Sequence, residues 1–292
     1  MKKIGLVTEE AADLPQEIIK KYQIAVAPVK MEWPEVENLP GKNTFQKMRE
    51  AERRGIKSFG KTSQPSPKDF LVAFEKQLEK FDKVLCVTVT SKLSGTYNSA
   101  VQARNFLKPG SQERVFVVDS LNASAGESLL ILRAIDLIEE GKEVEEIAKG
   151  LERFVPQIYL YGIIEDPKWL EASGRVSSFL ANWMSKIAKI GVRPLIRIKK
   201  GVVVSGGIIT GAKDIPIALF KQFGAKTKKL RKEDKKIRVV ITHGDDFEGA
   251  QRLKEMIEKE FKNTEVAFLN LIDDVLGTLV GPDSLICAWC ER

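Results

Sequence analysis

Two stretches concentrate hydroxyl groups where an anion could be held: "KTSQPSP" (61–67) and "SKLSGTYNSA" (91–100). The second follows an apolar run, "VLCVTVT" (84–90), and precedes a helical pattern. In a parallel sheet, ligands gather at the carboxyl ends of the strands. Gly95 lets backbone approach a ligand closely and frees amides for an anion. Ser94 and Thr96 add donors, and a helix beginning near Thr96 adds its positive N-terminal end. The alternative is local: Ser94 or Thr96 does no more than cap that helix. The residue types favour binding a carboxylate or phosphate over chemistry on it.

Other chemistries find less support. "GIKSFGKT" (55–62) satisfies the G-x-x-x-x-G-K-[ST] phosphate-loop letters, and "RVFVVDS" (114–120) supplies a strand ending in Asp119. A phosphate loop must leave a strand and open a helix with its Lys and Thr. Here a helical pattern, "TFQKMREAERR", runs into Gly55, which reads as its terminator. Pro65, Ser66 and Pro67 delay the next helix past Thr62. The only histidine, His243, has no G-x-S-x-G turn to serve. It reads as a strand end that packs or caps locally. No carboxylate pair or metal-ligand cluster stands out, so neither a catalytic residue nor a metal is expected. "CAWC" (287–290) has no second pair to complete a zinc site, and both cysteines read as packing residues.

These loops need a scaffold. Strand patterns fall at 3–7, 24–29, 84–90 and 115–118, and helices at 14–21, 44–54, 67–80, 96–107 and 123–140. That alternation predicts a parallel sheet covered by helices. Asp13, with Gln16 three residues on, reads as one helix cap, and Ser66 with Asp69 as another. The loop 32–43, with two prolines, reads as irregular. Farther on, "RPLIRIKKGVVVSGG" (193–207) is a hairpin signal, and strands at 237–242 and 265–271 flank a helix over 246–261. The expected fold is α/β with two domains. An N-terminal parallel-sheet three-layer α/β/α domain (1–155) carries the hydroxyl loops. A C-terminal two-layer α/β domain with a mixed sheet (156–292) follows. The length of 292 residues agrees, because single cores stop growing near this size.

Composition narrows the setting. No apolar stretch is long enough to span a bilayer, and "MKKIGLVTEE" reads as a first strand, not a leader. Three cysteines without an export signal predict a reduced, cytoplasmic setting. Charge is uneven: 19 of the 47 basic and 6 of the 40 acidic residues lie in 153–238, a local +13 against −6 elsewhere. The run 226–238 lacks the interleaved aromatics of a single-strand nucleic-acid platform, so no nucleic-acid partner is expected. Transient contact with a membrane surface fits the basic half.

Taken together, "KTSQPSP", "SKLSGTYNSA", "VVDSLNASAG" (117–126), "SGRVSS" (173–178) and "THGDDFEGA" (242–250) resemble the DegV family of fatty-acid-binding proteins, in order and spacing over nearly the whole chain. The resemblance implies a DegV-like pair of α/β domains with a long-chain fatty acid between them and no cofactor. It implies that Thr62, Ser63, Ser94, Gly95 and Thr96 hold the carboxylate. Arg175 matches a family arginine, implied to face the head group or a partner kinase; its plain alternative is a helix-capping surface arginine. Bacterial members resemble the non-catalytic binding subunit of a fatty-acid kinase, which presents the carboxylate to a separate ATP-binding subunit. Three positions depart from the family: Glu9 stands where Asp is usual, Leu279 where a histidine is typical, and Asp283 in place of a glycine. The histidine is implied to lie near the carboxylate in kinase-coupled members. Two other function classes compete. One is a nucleotide-using enzyme built on Gly60, Lys61, Thr62 and Asp119; the other is a basic nucleic-acid or membrane adaptor built on 221–238.

Overall fold

The computed structural model describes residues 2–177, 180, 183, 186, 193–212 and 214–292. The chain divides into two compact units. The first comprises Met1–Lys30, Thr62–Ile158 and the hairpin tip Lys200–Val202. The second comprises Met31–Lys61, Tyr159–Lys199 and Val203–Arg292. The chain passes between them within two short strands, β3 (Lys30–Glu32) and β4 (Lys61–Ser63), which pair as a two-stranded sheet.

The first unit holds β1 (Lys2–Glu9), α1 (Gln16–Tyr22), β2 (Ala25–Ala27), α4 (Pro67–Leu78), β5 (Phe81–Thr88), α5 (Thr96–Phe106), β6 (Val115–Asp119), α6 (Ala125–Glu139) and α7 (Val144–Phe154). The strands form a parallel sheet in the order β2-β1-β5-β6. Residues Val84–Thr88 of β5 are all buried, as expected of a parallel strand covered on both faces. Phe70 and Phe74 of α4 and Ala100 and Ala103 of α5 pack with Val84 and Cys86. Helices α6 and α7 pack against each other and against β5. Ser66 and Asp69 form the capping box that opens α4, with Pro67 in its first turn.

The second unit holds α2 (Pro34–Glu37), α3 (Thr44–Arg53), β7 (Tyr159–Ile163), α8 (Lys168–Ala172), β8 (Arg193–Lys199), β9 (Val202–Ile209, beginning at the unit boundary), α9 (Ile215–Lys226), α10 (Lys228–Lys232), β10 (Ile237–His243), α11 (Phe247–Glu260), β11 (Thr264–Leu271), α12 (Asp274–Val280) and β12 (Leu285–Glu291). Its six-stranded sheet runs β11-β10-β12-β7-β8-β9 and is mixed, with β10 and β11 parallel and β12 antiparallel to both β10 and β7. Trp289, Phe223, Leu253 and Ile257 build its core. Cys287 and Cys290 are buried on β12, neither in a disulfide.

Four local differences from the sequence reading have plain causes. Helix α1 starts at Gln16 with Pro15 as its N-cap. Asp13 is instead in the left-handed region (φ 53°), where it accepts the Ser124 hydroxyl. The stretch 32–43 contains the short helix α2, with Pro34 preset for its first turn. Strand β2 covers only Ala25–Ala27 of the 24–29 pattern. And whereas the sequence reading assigns 1–155 to one domain, residues 31–61 lie in the second unit. There Phe45 is fully buried against Gly244 and Gly277: a methyl at either glycine would come within 3.1 Å of its ring. Local pattern forms a helix without saying which core receives it.

Candidate functional site

The first unit's sheet reverses its winding at β1, which has β2 on one side and β5 on the other. The crevice outside the carboxyl ends of β1 and β5 is therefore the switch point, where such sheets receive ligands. The loop after β5 opens there. Its root is fixed by backbone: Val89 N–H donates to Glu9 Oε1 at 2.8 Å and Thr90 N–H to the Asn122 carbonyl at 2.8 Å. The amides of Leu93 and Ser94 then turn back onto the Thr90 carbonyl at 3.1 and 3.2 Å. Asp119 accepts the amides of Ser91 and Leu121, so its carboxylate shapes this turn.

The start of α5 is left open. Its N-cap is Gly95, with no side-chain cap, so neither Ser94 nor Thr96 caps the helix in the ordinary way. Ser94 Oγ lies 2.7 Å from Thr96 Oγ1 and accepts the Thr96 amide at 3.3 Å. Among the described residues, the amides of Gly95, Tyr97 and Asn98 meet no acceptor. A hydroxyl pair beside three available amides at the positive end of an eleven-residue helix is suited to one oxyanion group.

The second hydroxyl loop meets the first through a residue that sequence reasoning left out. The Gln64 carboxamide lies on Gly95: a methyl at Gly95 would come 2.4 Å from Gln64 Nε2. Gln64 thus brings the 61–67 and 91–96 loops together within the first unit. Thr62 is half-buried and engaged, and Ser63 is exposed one residue before Gln64. The available signal was position, because Gln64 sits between the two hydroxyls and Pro65 in the quoted motif.

Arg175 belongs to the second unit. It is half-buried, its amide donates to Ser173 Oγ at 3.2 Å, and burial lowers its pKa. The Ser178 end of "SGRVSS" lies outside the described residues. Leu279 is buried on α12. Asp283 has φ 60°, a left-handed backbone that glycine adopts without strain. Its carboxylate accepts Arg49 Nη2 at 2.7 Å, and Arg49 also binds Asp245 at 2.6 Å. His243 ends β10, buried, with its ring edge-on to Phe247.

The phosphate-loop geometry is absent. Gly55, at φ 71°, closes α3, its amide bonding the Glu52 carbonyl. Lys61 and Thr62 lie on β4, not at a helix start. Among the described residues, no three His, Cys, Asp or Glu side chains are grouped to hold a metal ion. No helix among them is long and apolar enough to cross a membrane.

Comparison with known proteins adds to this geometry. A family described as "Uncharacterised protein, DegV family" matches residues 3–292. A DegV domain-containing protein of Clostridium acetobutylicum is 31% identical, over 97% of this chain and 95% of its own length. A Thermotoga maritima protein named fatty acid-binding protein is 30% identical, over 97% of this chain and 96% of its own. A solved structure described as fatty acid binding of a DegV family protein from Thermus thermophilus superposes with a TM-score of 0.84. It is 28% identical and covers 99% of this chain and 100% of its own.

Proposed function

The chain belongs to the DegV family, and on that premise we propose that it binds a long-chain fatty acid. The carboxylate is held by Ser94, Gly95 and Thr96, with Thr62 and Ser63 supplied from the neighbouring loop. The carrying observation is the open N-terminus of α5: paired hydroxyls, available amides, and Gln64 on Gly95. Relatives named for fatty-acid binding support the ligand class.

The physics divides the work. Burying an acyl chain gains ~0.8 kcal/mol per methylene. A sixteen-carbon tail therefore supplies roughly 11 kcal/mol gross, before association costs. Hydrogen bonds to a charged carboxylate add about 1.5–3 kcal/mol each. Affinity then comes mainly from the tail, while the loop fixes orientation. No covalent chemistry is assigned to these residues. Presentation of the carboxylate to an ATP-binding kinase subunit is the finer role that the family implies. Leu279 has no proton or charge to offer a phosphoryl group, so this chain fits acyl binding better than it fits kinase coupling.

Denaturing mass spectrometry of protein purified from cells tests the proposal. A co-purifying long-chain fatty acid is expected. Its absence, together with no thermal shift on adding palmitate or oleate, would overturn it.

A further inference from the structure

Glu9 and Glu127 lie in the interior of the first unit, 1% and 0% exposed. Glu9 ends β1, and Glu127 sits in the first turn of α6. Glu9 Oε1 accepts the Val89 amide at 2.8 Å, and Glu127 Oε1 accepts the Thr8 hydroxyl at 3.1 Å. Glu127 Oε2 is buried and meets no hydrogen-bond partner among the described residues, and the Glu9 carboxyl lies close enough to act on it. Were both ionised, neither could donate to the other, because a carboxylate is an acceptor only. Burial first, and then the Glu9 charge, holds the Glu127 acid well above the usual carboxylate range. Asp13, beside the pair from the turn after β1, acts in the same direction. Cys86, facing it from β5, has its thiol raised by burial and then by the two glutamates.

We propose that Glu9 and Glu127 share one proton, and that this pair is the clamp positioning the end of β5 and the 91–96 loop that grows from it. Glu9 is the link, because its carboxyl holds Val89. From Val89 the backbone bonds of Thr90, Leu93 and Ser94 carry the position on to Gly95. Removing the shared proton leaves two adjacent buried charges. Glu9 can relieve that repulsion only by leaving Glu127, which loosens its hold on the Val89 amide. The part concerning head-group placement rests on the fatty-acid reading; the shared proton does not.

The sign follows from linkage. The folded chain keeps a proton that the unfolded chain releases above about pH 4.3. The pair's contribution is therefore complete below that pH and declines as pH rises toward the folded-state value. Glu127→Gln removes the titration while keeping the shape: Oε1 still accepts from Thr8, and Nε2 donates permanently to Glu9.

The test uses ligand-free protein. Denaturant unfolding from pH 5 to 9 should show wild type losing stability as pH climbs, with Glu127→Gln flatter. At pH 8.5 the Val89 amide should exchange faster in wild type than in the variant, while Val84 in mid-strand is unchanged. Equal pH slopes, or equal Val89 exchange, would overturn the proposal. If Glu127→Gln does not fold, Glu9→Gln is the complementary isostere, accepting from Val89 and donating to Glu127, and the same outcomes apply. Displacement of a fluorescent fatty acid from both proteins at pH 6 and pH 9 separates the two readings. No binding at either pH rejects the fatty-acid reading, while unfolding and exchange still decide the clamp.

Discussion

Replacing Gly95 by alanine tests the grip on the carboxylate directly. The backbone there, at φ −78° and ψ 4°, is open to any residue, so the substitution brings no backbone strain. The new methyl would lie 2.4 Å from Gln64 Nε2 and 2.8 Å from its Cδ. Both atoms are at the far end of a flexible side chain, which yields by rotation. Stability should fall by no more than about 1 kcal/mol, the ordinary cost of alanine at an N-cap. Access to the amides at the start of α5 should change far more. One lost hydrogen bond to a charged carboxylate costs about 1.5–3 kcal/mol, or roughly 10- to 150-fold in affinity. Tail burial is untouched. The assay is therefore a comparison of palmitate with hexadecanol, which carries the same tail without the charge, by competition against a fluorescent fatty acid. Palmitate should weaken in Gly95→Ala and hexadecanol should not. Equal weakening of both ligands, or unchanged palmitate binding in a folded variant, would refute the reasoning.

Ser94→Ala removes the hydroxyl that pairs with Thr96. It should cost about 1 kcal/mol of stability and near tenfold in palmitate affinity; unchanged affinity would reduce Ser94 to a local turn residue. Asp283→Gly relaxes a left-handed residue, worth about 1–2 kcal/mol, and gives up a partly exposed ion pair to Arg49, worth about 0–1 kcal/mol. Its denaturation midpoint should hold or rise, and a clear loss would mean the Arg49 network matters more than its exposure implies. His243 is held below its ordinary pKa by burial, against the pull of Asp246 and Asp245. The unfolded chain therefore takes up a proton that the folded chain resists, so stability should be whole above about pH 6.5 and fall as pH drops below it. His243→Asn should flatten that acid slope, and an unchanged slope would contradict the assignment. Leu279→His, assayed with ATP and a fatty-acid kinase subunit, should yield more acyl-phosphate than wild type; equal yields would remove Leu279 as the obstacle.

Much of the first unit was legible in the sequence because its signals are local. Ser66, Pro67 and Asp69 mark the start of α4 by capping chemistry alone, and the helix begins there. Gly55 ends α3 for the same kind of reason, which is why the phosphate-loop letters misled only as letters. What stayed hidden depends on contacts distant in sequence. Asp13 looked like a cap until Ser124, 111 residues away, proved to be its donor. Glu9 and Glu127 carry no mutual signal across 118 residues, and an acid at either position reads as surface. The placement of 31–61 turns on Phe45 finding room beside two glycines more than 190 residues later. The candidate head-group loops were visible as hydroxyls, but their meeting was not, because it runs through the Gln64 carboxamide.

The distribution of polar groups around the switch point explains how a shallow set of hydroxyls can act as a defined site. Ser94 and Thr96 are short side chains with weak individual bonds, and a loop carrying them would sample many arrangements if left free. Here the backbone behind them is tied down by buried acceptors: Glu9 on Val89, the Asn122 carbonyl on Thr90, and Asp119 on Ser91. Asn122 is fixed in turn, its amide donating to Ser120 Oγ and its carboxamide to the Ser120 carbonyl. Each anchor is buried or half-buried, so water competes poorly for it. Rigidity is thus built behind the site while the site itself keeps its amides open. Such an arrangement suits selective recognition of an acid over its ester or alcohol, since donors held in place need no reorganisation when the charge arrives. It follows that substitutions behind the loop, at Glu9 or Asn122, should erode the palmitate-over-hexadecanol preference before they erode tail-driven affinity.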